Sequence, residues 1–248
     1  MAHLSYKAIE PVEGGIQTVI DALLEAVGDS GTIVLPTFTF SFCESAKWNR
    51  QKTPSEMGII SELARNHKDA KRSCHPIYSV VAIGSKSNEY KNCNDSNGIG
   101  DKSPFAKLKK DNGIMALIGV GYNQGFVIGH HIEWKENVNY RYLKEFSGKV
   151  IDNGIVDKNT FSILVRDLKK GVLTDFRKLG YMLEHNGAMK VGRFGWAITR
   201  VIRAQKFSKL TRKWIKEEIP NLMHRKESEM SSEDKIKLYD DYHNCLFY

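Results

Sequence analysis

The alternation of two kinds of apolar segment most constrains how this chain can fold. Three runs are short and apolar almost throughout: GTIVLPTF (31–38), YSVVAIG (78–84) and GIMALIGVG (113–121). Runs of this kind read as strands buried on both faces. Between them lie segments with helical spacing. In IQTVIDALLEAV (16–27), Ile16, Val19, Ile20, Leu23, Leu24 and Val27 share one stripe, and Gly28 follows as a stop. Another helix is expected near 55–66, starting at Ser55. Ser103 followed by Pro104 is a strong helix start. Further strands are expected near 148–151 and 160–165. A helix capped by Thr174 should run to about Asn186, with Gly187 beyond it. Two more helices should cover roughly 194–206 and 208–219, ending before Pro220. The fold class is therefore α/β, with helices covering a mostly parallel or mixed sheet. Ligands in such folds sit at the carboxyl ends of strands. Gly119, Gly121, Gly125 and Gly129 cluster after one of those ends.

The chain has 248 residues, 41% of them hydrophobic, enough for one sizeable domain. That domain is expected over 1–222, with a charged tail over 223–248 that has room for one helix. No apolar run is long enough to span a membrane. The start MAHLSYKAIE has neither the basic beginning nor the apolar stretch of a secretory signal. Cys43, Cys74, Cys93 and Cys245 are scattered, without CxxC or Cys/His zinc spacing. They read as free thiols in a reducing, cytoplasmic setting, and no metal is expected.

The net charge is +8, and the excess lies mainly over 165–226. A basic face attracts phosphates, nucleic acids or acidic membranes. Here lysines and arginines interleave with Phe207 and Trp214, which fits a solvated helix face over a packed stripe better than a nucleic-acid surface. SNGIGD (96–101) has the look of a phosphate loop but lacks its Lys-Ser/Thr, so it reads as a plain turn.

The candidate chemistry lies in VIGHHIEW (127–134). On a helix His130 and Glu133 share a face, while His131 points about 100° away. A carboxylate on one imidazole nitrogen fixes the tautomer and leaves the other nitrogen to take a proton. A zinc site is disfavoured, because adjacent histidines cannot face one ion from a helix and HExxH is absent. Chance placement on a helix surface is the competing reading of the motif alone.

Several segments, in order, resemble the aminoglycoside 3-N-acetyltransferase family. MAHLSYKAIEPVEGG (1–15) is similar to its His-x-Ser-Leu…Gly-Gly segment, and HPIYSVVAIG (75–84) to its His-Pro…Ser-x-x-Ala-x-Gly strand. GDKSPFAKL (100–108) resembles its Gly-x-x-Ser-Pro turn and helix. ALIGVGYNQGFVIGHHIE (116–133) resembles the strand and His-x-x-Glu that carry the catalytic histidine, and VGRFGWAITRVIRAQKFSKLTRKWI its closing helices. The resemblance implies an α/β acetyltransferase fold unlike the GCN5 type, with a sheet flanked by helices. It implies acetyl-CoA as cosubstrate and a small-molecule amine as acceptor. His130 matches the catalytic histidine and Glu133 the following glutamate. Asp167 is the nearest counterpart of a later acidic residue. Ser5, Thr37, Ser79 and Ser103 match positions near the CoA and active-site pocket.

The chain departs from the pattern in its first helix and strand, which are not evident. It departs also at the threonine before the histidine, where VIG stands, and in the tail, which could serve self-association. On this reading the protein moves acetyl from acetyl-CoA to an amine of an amino sugar, with His130 as general base. A site for polycationic aminoglycosides should be rich in carboxylates, and this chain is basic. The expected acceptor is therefore an amino sugar carried on a nucleotide. The alternatives are the family's usual action on aminoglycosides, giving resistance, and a CoA-binding protein without turnover. A nucleic-acid-binding protein is the more distant rival.

Overall fold

The stripe over 16–27 folds as its spacing requires. A helix spans Ile16–Val27, with Val19 and Ile20 buried. Gly28 closes it at φ 65°, a left-handed conformation, donating its N–H to the carbonyls of Leu24 and Glu25. The structure, a computed structural model, describes residues 1–236. Cys245 and the last part of the charged tail lie outside them.

The strands are β1 (Ala2–Leu4), β2 (Thr32–Pro36), β3 (Lys47–Asn49), β4 (Lys71–Arg72), β5 (Val80–Gly84) and β6 (Ile114–Ile118), then β7 (Arg141–Asp152), β8 (Ile155–Arg166), β9 (Val172–Thr174), β10 (Lys190–Phe194), β11 (Ala197–Arg203) and β12 (His224–Lys226). They form a four-stranded sheet in the order β1-β6-β11-β10, three-stranded sheets β2-β5-β4 and β3-β7-β8, and a ribbon β12-β9. The α/β class holds. The pairing is mixed and largely antiparallel; β1 with β6 and β3 with β7 are parallel. Among the described residues the interior has two large clusters and a small one of Leu173 with Met230. One large cluster gathers around Phe105, Leu117, Phe126, Phe176 and Phe207; the other joins the Ile16–Val27 helix to β2 and β5.

Four local expectations need correction. The helix near 55–66 spans Ile59–Arg65 and starts after Gly58. Ser55 instead accepts the N–H of Met57 in a preceding turn. Thr174 ends β9, and the following helix is Arg177–His185. Asp175, not Thr174, accepts the Arg177 N–H at its start, at 3.0 Å. The helix expected over 194–206 is a hairpin. β10 turns at Gly195 (φ 58°) into β11, which pairs with β6 from Thr199↔Ile118 to Arg203↔Ile114. Ile198, Thr199, Val201 and Ile202 are β-branched and suit a pleated, half-buried surface. The two closing helices are therefore one, Ala204–Lys216. The strands expected near 148–151 and 160–165 are the middle of a long hairpin, closed by Asn153 and Gly154 at positive φ. In the tail, β12 and a 3-10 turn, Glu227–Glu229, precede the undescribed residues.

Ser103 behaves as expected. It is fully buried, and its Oγ accepts the Ala106 N–H at 3.2 Å, with Pro104 at the first helical position. Ser103→Ala should cost about 1 kcal/mol, the usual value of such a cap. Urea unfolding should show a lower midpoint with an unchanged slope; an unmoved midpoint would mean that the cap contributes nothing.

Cys43, Cys74 and Cys93 are free thiols. Among the described residues no helix is long and apolar enough to cross a membrane, and no cluster of three or more metal-type ligands occurs.

Candidate active site

β6 delivers the chain to the site through a tight passage. A Cβ on Gly119 would stand 2.4 Å from the Ala8 Cβ and 3.2 Å from the Ala197 Cβ, and φ is 67° there. Only glycine meets both conditions without strain. One turn, Tyr122–Gly125, then leads into the helix Val127–Lys135. Within that helix Gly129 makes room for Phe176, whose Cε1 would lie 2.8 Å from an added Cβ. Phe176 thereby reaches the His130 ring, with centroids 5.3 Å apart, and forms an apolar wall beside it.

The helix separates the two histidines as the spacing requires. His131 is buried and turned away; its Nδ1 donates to the Ile99 carbonyl at 2.6 Å. His130 Nδ1 donates to Glu133 Oε2 at 2.5 Å. Glu133 is fully buried, whereas 16% of the His130 side chain reaches the surface. A buried carboxylate needs compensation, and two residues around the start of β7 supply it. Arg141 Nε stands 2.8 Å from the same Oε2, in an ion pair whose N–H is not aimed along the contact. Tyr140 donates its hydroxyl to Oε1 at 2.9 Å. Arg141 is itself tied to the Thr174 hydroxyl, and the Tyr140 ring lies against that of His224, centroids 4.0 Å apart.

The electrostatics follow from this packing. Burial pushes the Glu133 carboxyl up, but Arg141 and His130 outweigh it and hold it down at about 2. Burial, and then the Arg141 charge, push His130 below its ordinary value, while Glu133 opposes them. The imidazole is therefore neutral near pH 7, with Nδ1–H committed to Glu133 and the lone pair on Nε2.

The side chains of the other expected residues are not bonded to this pair, although the Asp167 N–H donates to the Tyr140 carbonyl at 3.0 Å. The Asp167 carboxylate accepts the Lys169 N–H of its own turn at 3.1 Å. Thr37 and Ser79 are buried, with hydroxyls 3.0 Å from each other. Both stand 3.2 Å from Nε of Arg72, a buried arginine that also donates to the carbonyls of Thr37 and Thr53. Burial lowers Arg72 to about 9. Ser5 lines a cavity. That cavity is about 670 Å³ and is bounded by His3, Ser5, Tyr6, Lys7, Gly119 and Val120, with Met57–Ser61 opposite. A second hollow of about 570 Å³ gathers Lys209, Arg212, Lys213 and Lys216 of the Ala204–Lys216 helix with Lys109 of the helix Pro104–Lys110. Five basic side chains meet there, and neither His130 nor any residue of the first cavity lines it.

Sequence reasoning missed Arg141, Tyr140 and Arg72. Arg141 and Tyr140 follow the helix across a turn, so no periodicity links them to Glu133. Arg72 has no carboxylate partner whose spacing could mark it.

A family model described as aminoglycoside 3-N-acetyltransferase matches residues 1–216. A Bacillus subtilis (strain 168) relative, the SPbeta prophage-derived aminoglycoside N(3')-acetyltransferase-like protein YokD, is 27% identical, covering 87% of this chain and 85% of that protein. The crystal structure of aminoglycoside acetyltransferase AAC(3)-Xa superposes with a TM-score of 0.77 at 24% identity, over 87% of this chain and 85% of that one. AAC-IIIb, in a binary structure with CoASH, does so at 0.76 and 19% identity, over 88% and 89%.

Proposed function

The chain belongs to the aminoglycoside 3-N-acetyltransferase family and is an N-acetyltransferase, and from that premise we propose that His130 takes a proton from a primary amine of an amino sugar as that amine accepts acetyl from acetyl-CoA. The observation that carries the reading is the 2.5 Å contact from His130 Nδ1 to the buried Glu133. It fixes the tautomer that leaves Nε2 able to accept a proton. The supporting carboxylate is Glu133 and not Asp167, which is occupied by its own turn.

The step balances without a metal. The amine nitrogen attacks the thioester carbonyl and a C–N bond forms. The proton passes from nitrogen to His130 Nε2. The C–S bond breaks, and the departing thiolate receives the proton. The cavity beside Ser5, Tyr6 and Lys7 suits the cosubstrate, because it mixes a cation and hydroxyls with the apolar Pro36, Ile59 and Val120. CoASH in the similarly folded AAC-IIIb supports acetyl-CoA as the cosubstrate.

Two acceptors are in play. Family membership favours an aminoglycoside. A specific observation favours a nucleotide-linked amino sugar: the carboxylates of Glu133 and Asp175 are already neutralised. Glu133 faces Arg141, and Asp175, beside Phe176, is gripped by Arg177 Nε at 2.9 Å and Nη2 at 2.7 Å. Neither is left to hold a second ammonium group. The chain's net charge does not decide the matter, because it is a property of the whole surface and part of it lines the hollow beside the Ala204–Lys216 helix, which His130 does not line.

Thiol release from acetyl-CoA, measured with both amine classes at two ionic strengths, tests the reading. We expect kcat/KM to favour the nucleotide-linked amine. Efficient, salt-sensitive turnover of gentamicin-type amines alone would instead establish the aminoglycoside acceptor. Acetyl-CoA binding with no turnover of any amine would overturn the enzymatic assignment of His130.

A further inference from the structure

Two side-chain nitrogens converge on a single carboxylate oxygen. His130 Nδ1 and Arg141 Nε approach Glu133 Oε2 at 2.5 and 2.8 Å, and Tyr140 takes Oε1. The two nitrogens can be no further apart than the sum of those lengths. Their shared site is buried, with Glu133 fully covered and only 4% of the Arg141 side chain exposed.

Charge counting in such a site gives a definite result. With Glu133 and His130 alone, an ionised buried carboxylate favours the imidazolium as its counter-charge. To the extent that the ring is protonated it cannot act as a base. With Arg141 present, the carboxylate is already balanced, and an imidazolium would be a buried, uncompensated charge. We propose that Arg141 is a positioning residue for the reaction: by balancing Glu133 it keeps His130 neutral while leaving Glu133 free to hold the ring in place. The proposal rests on His130 being the proton acceptor.

The other groups around the pair do not alter the count. Tyr140 is a neutral donor, and burial pushes its hydroxyl upward. His224, against Tyr140, is pushed down by burial and so is neutral. Phe176 brings no charge. Tyr78, which also faces Arg141, is a phenol. Nothing in this set replaces the guanidinium.

The test is an NMR titration of the His130 ring in the substrate-free protein, with its resonance identified by its loss in His130→Asn. In the wild type the midpoint should fall below the ordinary value of 6.5. In Arg141→Met it should rise by about 1–3 pH units, the usual effect of a close charge on a titrating group. Arg141→Lys, which keeps the charge, should stay near the wild type. The acidic limb of kcat/KM should move with the midpoint. The methionine variant would then lose roughly 10–1000-fold at low pH and recover much of it at alkaline pH. A merely structural arginine would lower the rate alike at every pH. An unmoved or lowered midpoint in folded Arg141→Met overturns the proposal. A wild-type midpoint above 7 overturns it without any variant, should Arg141→Met fail to fold. Because the titration needs no substrate, it separates this idea from the acetyl-transfer reading: absent turnover with a raised midpoint would sink the latter alone.

Discussion

Replacing His130 by alanine lowers acetyl-transfer turnover by roughly 10²–10⁴, the usual contribution of a placed general base. The loss should appear in kcat, because the proton moves only as the amine attacks. The fold should survive. The His130 side chain is partly exposed, and Glu133 keeps Arg141 and Tyr140 as partners. His131→Ala is the informative control. It removes the bond to the Ile99 carbonyl from a buried position, so it should lower stability. It leaves the His130–Glu133 pair in place, so turnover per folded molecule should be close to wild type. The assay is thiol release on an amine shown to be a substrate, with the folded fraction measured by circular dichroism. A His130→Ala protein with wild-type turnover would sink the assignment. So would a His131→Ala protein that folds fully and is as impaired as His130→Ala.

The sequence showed this pair clearly, for a geometric reason. Residues three apart on a helix share a face, so a local motif reports a local contact. A helix beginning at 130 is the expectation, after a strand and glycines; it spans Val127–Lys135, which keeps the same spacing. The Ile16–Val27 helix and the Ser103 cap were legible on the same grounds: stripe, stop and cap are all encoded within a few residues. The closing segment was less so. AITRVIRAQKF carries basic and apolar residues that fit a helix as well as a strand, and β11 exists because it pairs with β6, 85 residues earlier by the register of Val201 with Ala116. Propensity cannot report a partner that far away. The hairpin was half seen. Its Asn153–Gly154 turn is a local signal for two paired strands, yet the strands were read as short and separate. Their polar outer residues gave no apolar run to follow. Arg141 lay beyond reach for a related reason. It is the first residue of β7, and it meets Glu133 only because the turn after the helix folds back. The candidate base was therefore readable, while the group that balances its carboxylate was not.

Removing the Glu133 carboxylate should produce the largest loss of stability. Glu133→Gln leaves Arg141 buried with no anion, and breaking such a pair typically costs about 3–5 kcal/mol. The pH dependence supplies an independent check. The Glu133 carboxyl is depressed from 4.5 to about 2 in the folded protein. A depressed carboxyl contributes stability above its unfolded value, and that contribution disappears as pH falls through the folded value. The difference corresponds to about 3 kcal/mol, of the same order as the pair-breaking cost. The wild type should therefore lose stability progressively from about pH 5 to about pH 2, and Glu133→Gln should lack that part of the loss. The kinetic consequence has the opposite sign from that of Arg141→Met. Without the carboxylate nothing favours the imidazolium, while Arg141 still opposes it. The acidic limb of kcat/KM should move down, and kcat should fall because the ring is no longer held in one tautomer. Asp167→Ala should leave the limb in place, since its carboxylate caps a turn. Denaturant melts from pH 2 to 8 and pH–rate profiles of the three variants measure all of this. A limb moved by Asp167→Ala and not by Glu133→Gln would transfer the supporting role to Asp167. Equal stability of Glu133→Gln and wild type at pH 7 would mean that the buried guanidinium finds compensation elsewhere.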